Sequence, residues 1–161
     1  MDEATDVSAL ISTGERDRVA GWITEATAEG ARVASGGVIG DDGVLRPTLV
    51  VDATPEMKVC SQEVFGPVLT LQSFEDEDEA VALANGTDYG LVAIVYTGDP
   101  GRAERVTSRL VAGTVWVNCF FVRDLAAPFG GSRNSGVGRE GGTWSFDFYA
   151  DVKNVCVAPW S

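Results

Sequence analysis

The sequence predicts an α/β protein: a mostly parallel twisted sheet flanked by helices, with a C-terminal extended strand. Three observations carry this prediction. The chain has 161 residues, enough for one domain with a core. Hydrophobic residues make up 45% of it, which excludes a disordered chain. Apolar, β-rich runs alternate with helical segments, and this alternation is typical of βαβ units and parallel pairing.

The first predicted elements are a helix and three extended segments. Residues 13–30 are predicted to form the helix, which Gly30 can end. Its apolar side chains recur at helical spacing, at Val19, Trp22, Ile23 and Ala26. Extended segments are expected next, at residues 31–37, 45–51 and 68–74. The last of these alternates between apolar and polar residues, as a half-buried strand does.

Two further helices and two apolar strands are predicted after residue 74. A helix at 75–86 begins with acidic residues, which the helix dipole favours. A second helix at 99–113 has Asp99 as its N-cap, with proline at its first position. The strands are predicted at 91–97 and 114–120. The final residues, 148–160, are predicted to be a lone extended strand that pairs with an edge in another subunit.

Composition and charge exclude several classes of function. The chain has 24 acidic and 12 basic residues, a formal charge of −12 and no histidine. An acidic surface repels phosphate backbones, so no nucleic-acid partner is expected. Without histidine there is no Ser-His-Asp or Cys-His pair and no histidine-rich metal site, and no metal is expected. The odd, dispersed cysteines, the acidic N-terminus and the lack of a long apolar run predict a cytoplasmic protein without a membrane span.

Three local motifs are weak on their own. Glycines 136, 138 and 141 match G-x-G-x-x-G, but a polar loop precedes them where a dinucleotide site needs a strand. The acidic run 75–79 is better explained as a solvated helix start than as a metal site. The sequon at 85–87 indicates a turn that ends a helix.

Two other segments are more informative. Residues 128–142 hold six glycines in fifteen residues, with two arginines and a glutamate. Glycine lets backbone approach a ligand or another chain, so we expect a tightly folded loop at a site or a subunit contact. In "QEVFGPVL" (62–69), Glu63 and Phe65 would point the same way at period two. The alternative is a turn with a solvated Glu63 and a core Phe65.

Five motifs in order resemble the aldehyde dehydrogenase superfamily: "EVFGPV", "LANGTDYGL", "GTVWVN", "PFGGSRNSGVGREGG" and "FYADVKNVCV". The "RDL" at 123–125 is similar to the branch that acts on 2-hydroxymuconic and related semialdehydes. The resemblance implies a truncated catalytic domain over residues 1–150 and an oligomerisation strand over 151–161, together one compact domain. It also implies NAD(P)-dependent oxidation of an aldehyde to an acid.

The resemblance also implies roles for individual residues. Glu63 would bind the nicotinamide ribose, and Phe65 would pack beside the nicotinamide. Arg123 would pair with a substrate carboxylate, a contact that suits a planar guanidinium. The walls of the substrate channel would be formed by Asn118, Cys119, Phe120, Phe121, Val122 and Phe129.

The chain departs from the family pattern at its start. The family's nucleophilic cysteine, glutamate base and cofactor domain lie upstream of the segment that "SALIS" resembles, so we expect them to be missing. No cofactor is then expected for the isolated chain, and the roles of Glu63 and Phe65 would be vestigial. Cys119 is the only thiol expected to face the channel. With Glu63 and Asp124, it is a tentative catalytic residue.

Several hypotheses follow from this departure. The chain could bind a small acidic or aromatic molecule in the remnant channel and catalyse a cofactor-free isomerisation, cyclisation, hydration or dehydration. It could instead be the C-terminal piece of a split semialdehyde dehydrogenase that needs a separate N-terminal partner chain. A scaffold pseudoenzyme and an inactive decayed product are further alternatives. We expect a homodimer through the terminal strand.

Overall fold

The computed structural model describes residues 3 and 5–160, which fold as two compact units, Met1–Thr87 and Asp88–Ser161. No linker in the sequence predicts the boundary between them. The helices and strands of both units are those of an α/β protein, and this confirms the predicted fold class. Each unit has its own sheet, whereas the sequence analysis expected one.

The first unit combines three helices with a three-stranded sheet. Its elements are α1 (Thr13–Ala28), β1 (Arg32–Ser35), β2 (Thr48–Val51), α2 (Lys58–Ser61), β3 (Val68–Leu71) and α3 (Glu77–Asn85). The strand order is β1-β2-β3, in which β1 and β2 pair antiparallel and β2 and β3 pair parallel. Helix α1 packs against β1 and α2 and buries Val19, Ile23 and Ala26, as its spacing predicts, whereas Trp22, predicted on the same face, is only half-buried.

The second unit pairs two parallel strands, β4 (Val92–Val95) and β5 (Thr114–Val117). Between them lies α4 (Pro100–Thr107), and after them come a 3₁₀ turn (Arg133–Ser135) and α5 (Trp144–Tyr149). Because two of the three described strand pairings are parallel, the sheets are mostly parallel as predicted.

Local capping explains where α1, α3 and α4 begin. The Ser12 hydroxyl accepts a hydrogen bond from the Glu15 backbone N–H, and Asp76 caps α3 in the same way through the N–H of Glu79. The Asp99 carboxylate accepts from the N–H groups of Gly101 and Arg102 at 2.9 and 3.2 Å. These hydrogen bonds lower the pKa of Asp99. The predicted N-cap at Asp99 is therefore confirmed.

The C-terminal residues differ from their prediction. Phe148 and Tyr149, placed in the predicted strand, lie in α5, and residues 151–160 form no hydrogen-bonded strand. A strand is stable only beside a partner edge, and this segment pairs with none of the strands that the structure describes. Oligomerisation through this segment stays a prediction.

The buried apolar side chains are concentrated in the first unit, where two clusters pack between α1 and the sheet. Trp116 is the one buried hydrophobic residue that the structure describes beyond Thr87. The second unit is therefore organised mainly by backbone contacts, and these position the candidate site.

Candidate functional site

The segment that follows β5 carries most of the predicted channel residues. It is anchored at Asn118, whose backbone N–H donates to the Val95 carbonyl at 2.9 Å. The Asn118 side chain makes two hydrogen bonds with the Thr97 backbone: Nδ2 donates to the carbonyl at 2.8 Å, and Oδ1 accepts from the N–H at 2.9 Å. Asn118 thus fixes the start of the segment against the end of β4.

Trp116 organises the next residues into an aromatic cluster, defined as Trp116, Phe120 and Phe121. The three ring centroids lie 5.8–6.2 Å apart, within the range of favourable aromatic pairs. Trp116 is only 7% exposed, and its Nε1–H donates to the Val122 carbonyl at 2.9 Å. The side chains of Phe120 and Phe121 stay exposed, so the cluster consists of two exposed rings packed on the buried Trp116.

Three of the predicted site residues adopt left-handed backbone conformations: Phe65 (φ 52°), Asn118 (φ 53°) and Phe121 (φ 56°). Asparagine tolerates this region, but a phenylalanine there costs about 1–2 kcal/mol. Such conformations persist only where surrounding contacts enforce them, and they cluster at functional sites. The strain therefore supports a functional use of these segments.

Arg123 forms a second group, the arginine cluster, defined as Arg123, Phe129 and Glu140. Its guanidinium carbon lies 4.4 Å from the centroid of the Phe129 ring, in cation–π geometry. Its Nη2 lies 3.2 Å from Glu140 Oε1. Phe129 and Glu140 are joined by two backbone hydrogen bonds, each 2.8 Å long. The cluster is thus a cation on an aromatic ring, with one carboxylate beside it.

The glycine-rich loop, residues 128–142, is tightly folded as the sequence predicts. Arg139 holds it from within: its Nη1 donates to the carbonyls of Gly131 at 2.6 Å and Gly138 at 2.9 Å. The Gly90 carbonyl accepts from the N–H groups of both Gly113 and Ser132. At Gly113, a β-carbon would collide with the carbonyl oxygen of Gly130. This close approach of two backbones explains why glycine stands there.

An open groove of about 360 Å³ runs along this loop. Two members of the arginine cluster, Phe129 and Glu140, line it, together with Leu91, Arg139, Phe148 and Tyr149. Its volume is within the range of small-molecule sites. The groove thus places the Phe129 ring and the Glu140 carboxylate next to space for a ligand, whereas Arg123 and the predicted channel residues 118–122 do not line it.

The candidate catalytic residues Asp124, Cys119 and Glu63 occupy three different settings. Asp124 is exposed, and its carboxylate accepts from the Ala126 N–H at 2.9 Å, which closes a turn. Cys119 is half-buried beside the aromatic cluster. Glu63 is exposed and belongs to the first unit. Within the second unit, the geometry gives Asp124 a structural role in the segment.

Glu63 and Phe65 lie on either side of Val64, which packs against the buried clusters of the first unit. Glu63 is exposed, and the Phe65 ring is 75% exposed. The alternative that placed Phe65 in the core is therefore wrong. That the carboxylate and the ring point the same way stays a prediction.

The other two cysteines do not resemble nucleophiles. Cys60, expected in a loop, lies in α2, and burial raises the pKa of its thiol. Cys156 is exposed on the C-terminal segment. Over residues 3 and 5–160, no group of three or more cysteine or acidic side chains converges into a potential metal site. No helix in the same residues is long and apolar enough to cross a membrane.

Sequence reasoning missed Glu140 and the structural part of Trp116. Glu140 lies 17 positions from Arg123, too far for a local pattern to reveal the pair. The sequence indicates Glu140 only through the cluster of charged residues within the glycine-rich loop. Trp116 stood out only as one residue of an apolar run, and the hydrogen bond of its indole depends on the turn at 118–122.

An α/β fold with a groove of this volume, lined by aromatic and charged side chains, has the features of a small-molecule site. A family model described as the aldehyde dehydrogenase family matches residues 1–155. The chain belongs to the aldehyde dehydrogenase family. The resemblance identified from the motifs is confirmed at this level.

The curated relatives include betaine aldehyde dehydrogenases. Over 162 aligned residues, the chain is 40% identical to the enzyme of Rhizobium leguminosarum bv. trifolii and 42% identical to that of Sinorhizobium fredii. Each alignment covers 98% of this chain and 33% of the relative. Among solved structures, betaine aldehyde dehydrogenase from Staphylococcus aureus with NAD⁺ matches at a TM-score of 0.87 and 40% identity, over 92% of this chain and 31% of that one. An aldehyde dehydrogenase from Bacillus cereus, also with NAD⁺, matches at a TM-score of 0.89 and 37% identity, over 95% of this chain and 32% of that one. The chain spans about a third of the length of these relatives.

Proposed function

We propose that this chain forms the wall of an aldehyde dehydrogenase substrate channel and that Arg123 binds the carboxylate of a small acidic aldehyde. The observation that carries the proposal is the arginine cluster in a chain of this family. The Arg123 side chain is 34% exposed, so its guanidinium can reach a ligand. A guanidinium offers parallel N–H donors to a carboxylate, and such bonds are about twice as strong as neutral ones.

The proposed substrate class differs from that of the named relatives. Betaine aldehyde carries a quaternary ammonium, which a guanidinium repels, whereas a semialdehyde with a carboxylate is attracted. Arg123 therefore favours the branch that acts on 2-hydroxymuconic and related semialdehydes. The exposed rings of Phe120 and Phe121 supply an apolar surface for the carbon chain of such a molecule.

The proposed oxidation needs a hydride acceptor, which NAD⁺ would supply when bound. The exposed Glu63 carboxylate and the exposed Phe65 ring fit the ribose hydroxyls and the nicotinamide face respectively. Arg123 orients the substrate by its acid end. The aromatic cluster excludes water from one side of the carbonyl. The nucleophile and the remaining cofactor contacts belong to the two thirds of the family's length outside these residues, on the same polypeptide or on a partner chain.

A cofactor-free step catalysed by this chain alone stays a prediction. Asp124, one of the candidate acids or bases for such a step, already accepts a hydrogen bond that closes a turn. A scaffold function stays a prediction as well, and the ligand-binding experiment below separates it from the proposal, because a pure scaffold would bind no carboxylate through Arg123.

Replacing Arg123 with glutamine should weaken binding of a carboxylate ligand about tenfold or more, because a charge-assisted hydrogen bond contributes about 1.5–3 kcal/mol. Titration calorimetry of the 161-residue chain with trans,trans-muconate measures this. Arg32→Gln is a matched control, since Arg32 also forms an exposed ion pair at 3.2 Å, with Asp52, in the first unit. Betaine aldehyde, which carries a quaternary ammonium and no carboxylate, is the cationic comparison ligand. Binding of betaine aldehyde with no binding of muconate would reject the proposed substrate class.

The isolated chain should bind NAD⁺ weakly, with a Kd above about 1 mM. The reason is that Glu63 and Phe65 account for contacts with the nicotinamide side of the cofactor only. Equilibrium dialysis with NAD⁺ tests this, with Phe65→Ala as the comparison variant. A micromolar Kd that Phe65→Ala weakens would show that these 161 residues suffice to hold the cofactor, contrary to the proposal.

A further inference from the structure

We propose that Glu140 is a specificity-determining residue, whose carboxylate holds Arg123 when no ligand is bound and is displaced by the ligand's own carboxylate. The inference rests on the proposed function of Arg123 and adds an internal competitor to it. Glu140 would select for acidic ligands that bind strongly enough to replace it. Neutral aldehydes would leave the pair intact.

The geometry of the pair suits an exchange. Arg123 Nη2 and Glu140 Oε1 are 3.2 Å apart, at the long end of an N–H···O hydrogen bond. The side chains are 34% and 54% exposed, so water reaches both partners. An ion pair in this setting contributes little net stability. A ligand carboxylate can therefore replace Glu140 at low cost, provided that the guanidinium stays in place.

Stacking on Phe129 keeps the guanidinium in place. The Arg123 guanidinium carbon lies 4.4 Å from the ring centroid, and this contact does not involve Glu140. Arginine also presents several N–H donors in a fixed plane, and the contact with Glu140 uses Nη2. The ring thus sets the plane of the cation, while the carboxylate partner is free to change.

The backbone around Glu140 is fixed, so only its side chain would move. Glu140 and Phe129 exchange two backbone hydrogen bonds of 2.8 Å. On the C-terminal side, the Gly141 N–H donates to Ser145 Oγ and the Gly142 N–H donates to the Leu125 carbonyl, both at 2.9 Å. At Gly141 (φ +97°), a β-carbon would collide with the Ala127 carbonyl, so the turn needs glycine. Displacement is then a rotation of the Glu140 side chain.

The groove gives the ligand a route to the pair. Phe129 and Glu140 both line it, so a molecule in the groove contacts the two residues that flank the Arg123 guanidinium. Arg123 itself does not line the groove, so a carboxylate in the groove meets Glu140 first and reaches the guanidinium when Glu140 moves aside. Repulsion between the two carboxylates then favours rotation of Glu140 away from Arg123.

The test is Glu140→Gln in the 161-residue chain, titrated with trans,trans-muconate by calorimetry. Glutamine keeps the shape of the side chain and removes its charge. We expect about fivefold tighter binding, the factor that corresponds to an exposed ion pair. The gain should vanish in the double variant Arg123→Gln/Glu140→Gln when it is compared with Arg123→Gln alone. Dimethyl muconate, which has no charge, should bind wild type and Glu140→Gln equally.

Three outcomes distinguish the inference about Glu140 from the proposed function of Arg123. Tighter, Arg123-dependent binding of muconate alone supports the inference. Equal or weaker binding by Glu140→Gln, with Arg123→Gln still weakening the wild type, overturns the inference and leaves the proposed function standing. Loss of any dependence on Arg123 in the wild type overturns the proposed function and the inference with it. If Glu140→Gln lacks the far-ultraviolet circular dichroism of the wild type, Glu140→Asp carries the same test, because its shorter carboxylate draws back from Arg123.

Discussion

Trp116→Ala is expected to destabilise the second unit by about 3–5 kcal/mol, the usual cost of truncating a buried aromatic residue. Trp116 is the buried base of the aromatic cluster and donates to the Val122 carbonyl. Its loss leaves a cavity and an unpaired carbonyl, and it removes the surface on which Phe120 and Phe121 pack. Because Trp116 contacts the Phe121 ring and bonds the Val122 carbonyl, the segment after β5 should loosen as well.

Chemical denaturation followed by circular dichroism measures the loss of stability, and hydrogen exchange with mass spectrometry locates it. Exchange should accelerate most in residues 114–122. Trp144→Ala is the matched control, since Trp144 belongs to the same unit but is half-exposed, and it should change stability by about 0.5 kcal/mol or less. Equal effects of the two substitutions would contradict the assignment of Trp116 as the base of the site.

Gly113→Ala should cost about 3 kcal/mol, at the upper end of the usual range for overpacking, and should displace the glycine-rich loop. A β-carbon at Gly113 would collide with the backbone carbonyl oxygen of Gly130. No side-chain rotation can relieve a clash with backbone. The loop would have to move away, and the hydrogen bonds that Gly113 and Ser132 donate to the Gly90 carbonyl would weaken.

Gly98→Ala is the control for this substitution. An added β-carbon at Gly98 would meet no atom within 4 Å, and the residue lies in the same unit. Its effect on the unfolding midpoint should be small. If Gly113→Ala were as stable as Gly98→Ala and kept the normal hydrogen exchange of residues 128–142, the close backbone approach would not be what requires glycine at position 113.

The parts of the fold that local chemistry determines are those that the sequence predicts well. Asp99 and Pro100 mark the start of α4 because capping and a fixed proline φ act within one turn. The end of the same helix was predicted at Gly113, but α4 stops at Thr107. Beyond it, the Gly113 N–H bonds the Gly90 carbonyl, a tertiary contact that no local pattern shows.

Helix α5 shows the same limit. Its aromatic residues favour a strand by propensity, yet Trp144–Tyr149 is helical. A β-carbon on Gly138 would lie only 2.5 Å from the Phe148 ring. Helix α5 therefore packs directly against the glycine backbone of the loop. Tertiary packing here overrides local preference.

In the candidate site as well, the sequence predicts residues within one motif but not contacts between distant segments. The resemblance supplied Arg123 and Phe129, and the structure stacks them on each other. Their relation to Glu140, and the relation of Phe120 to Trp116, arise from chain segments that meet only after folding. Residue types at a site can be predicted from motifs, but which charges neutralise one another depends on three-dimensional proximity.

The uneven distribution of buried side chains has a thermal consequence. The first unit contains the apolar clusters, so its unfolding should carry most of the heat-capacity change of the chain, which grows with the apolar area that becomes hydrated. The second unit, where Trp116 is the buried hydrophobic residue described, should contribute little to it. Cooling weakens hydrophobic burial more than hydrogen bonding. Low temperature would then loosen the part of the chain that carries Glu63 and Phe65 before the part that carries Arg123.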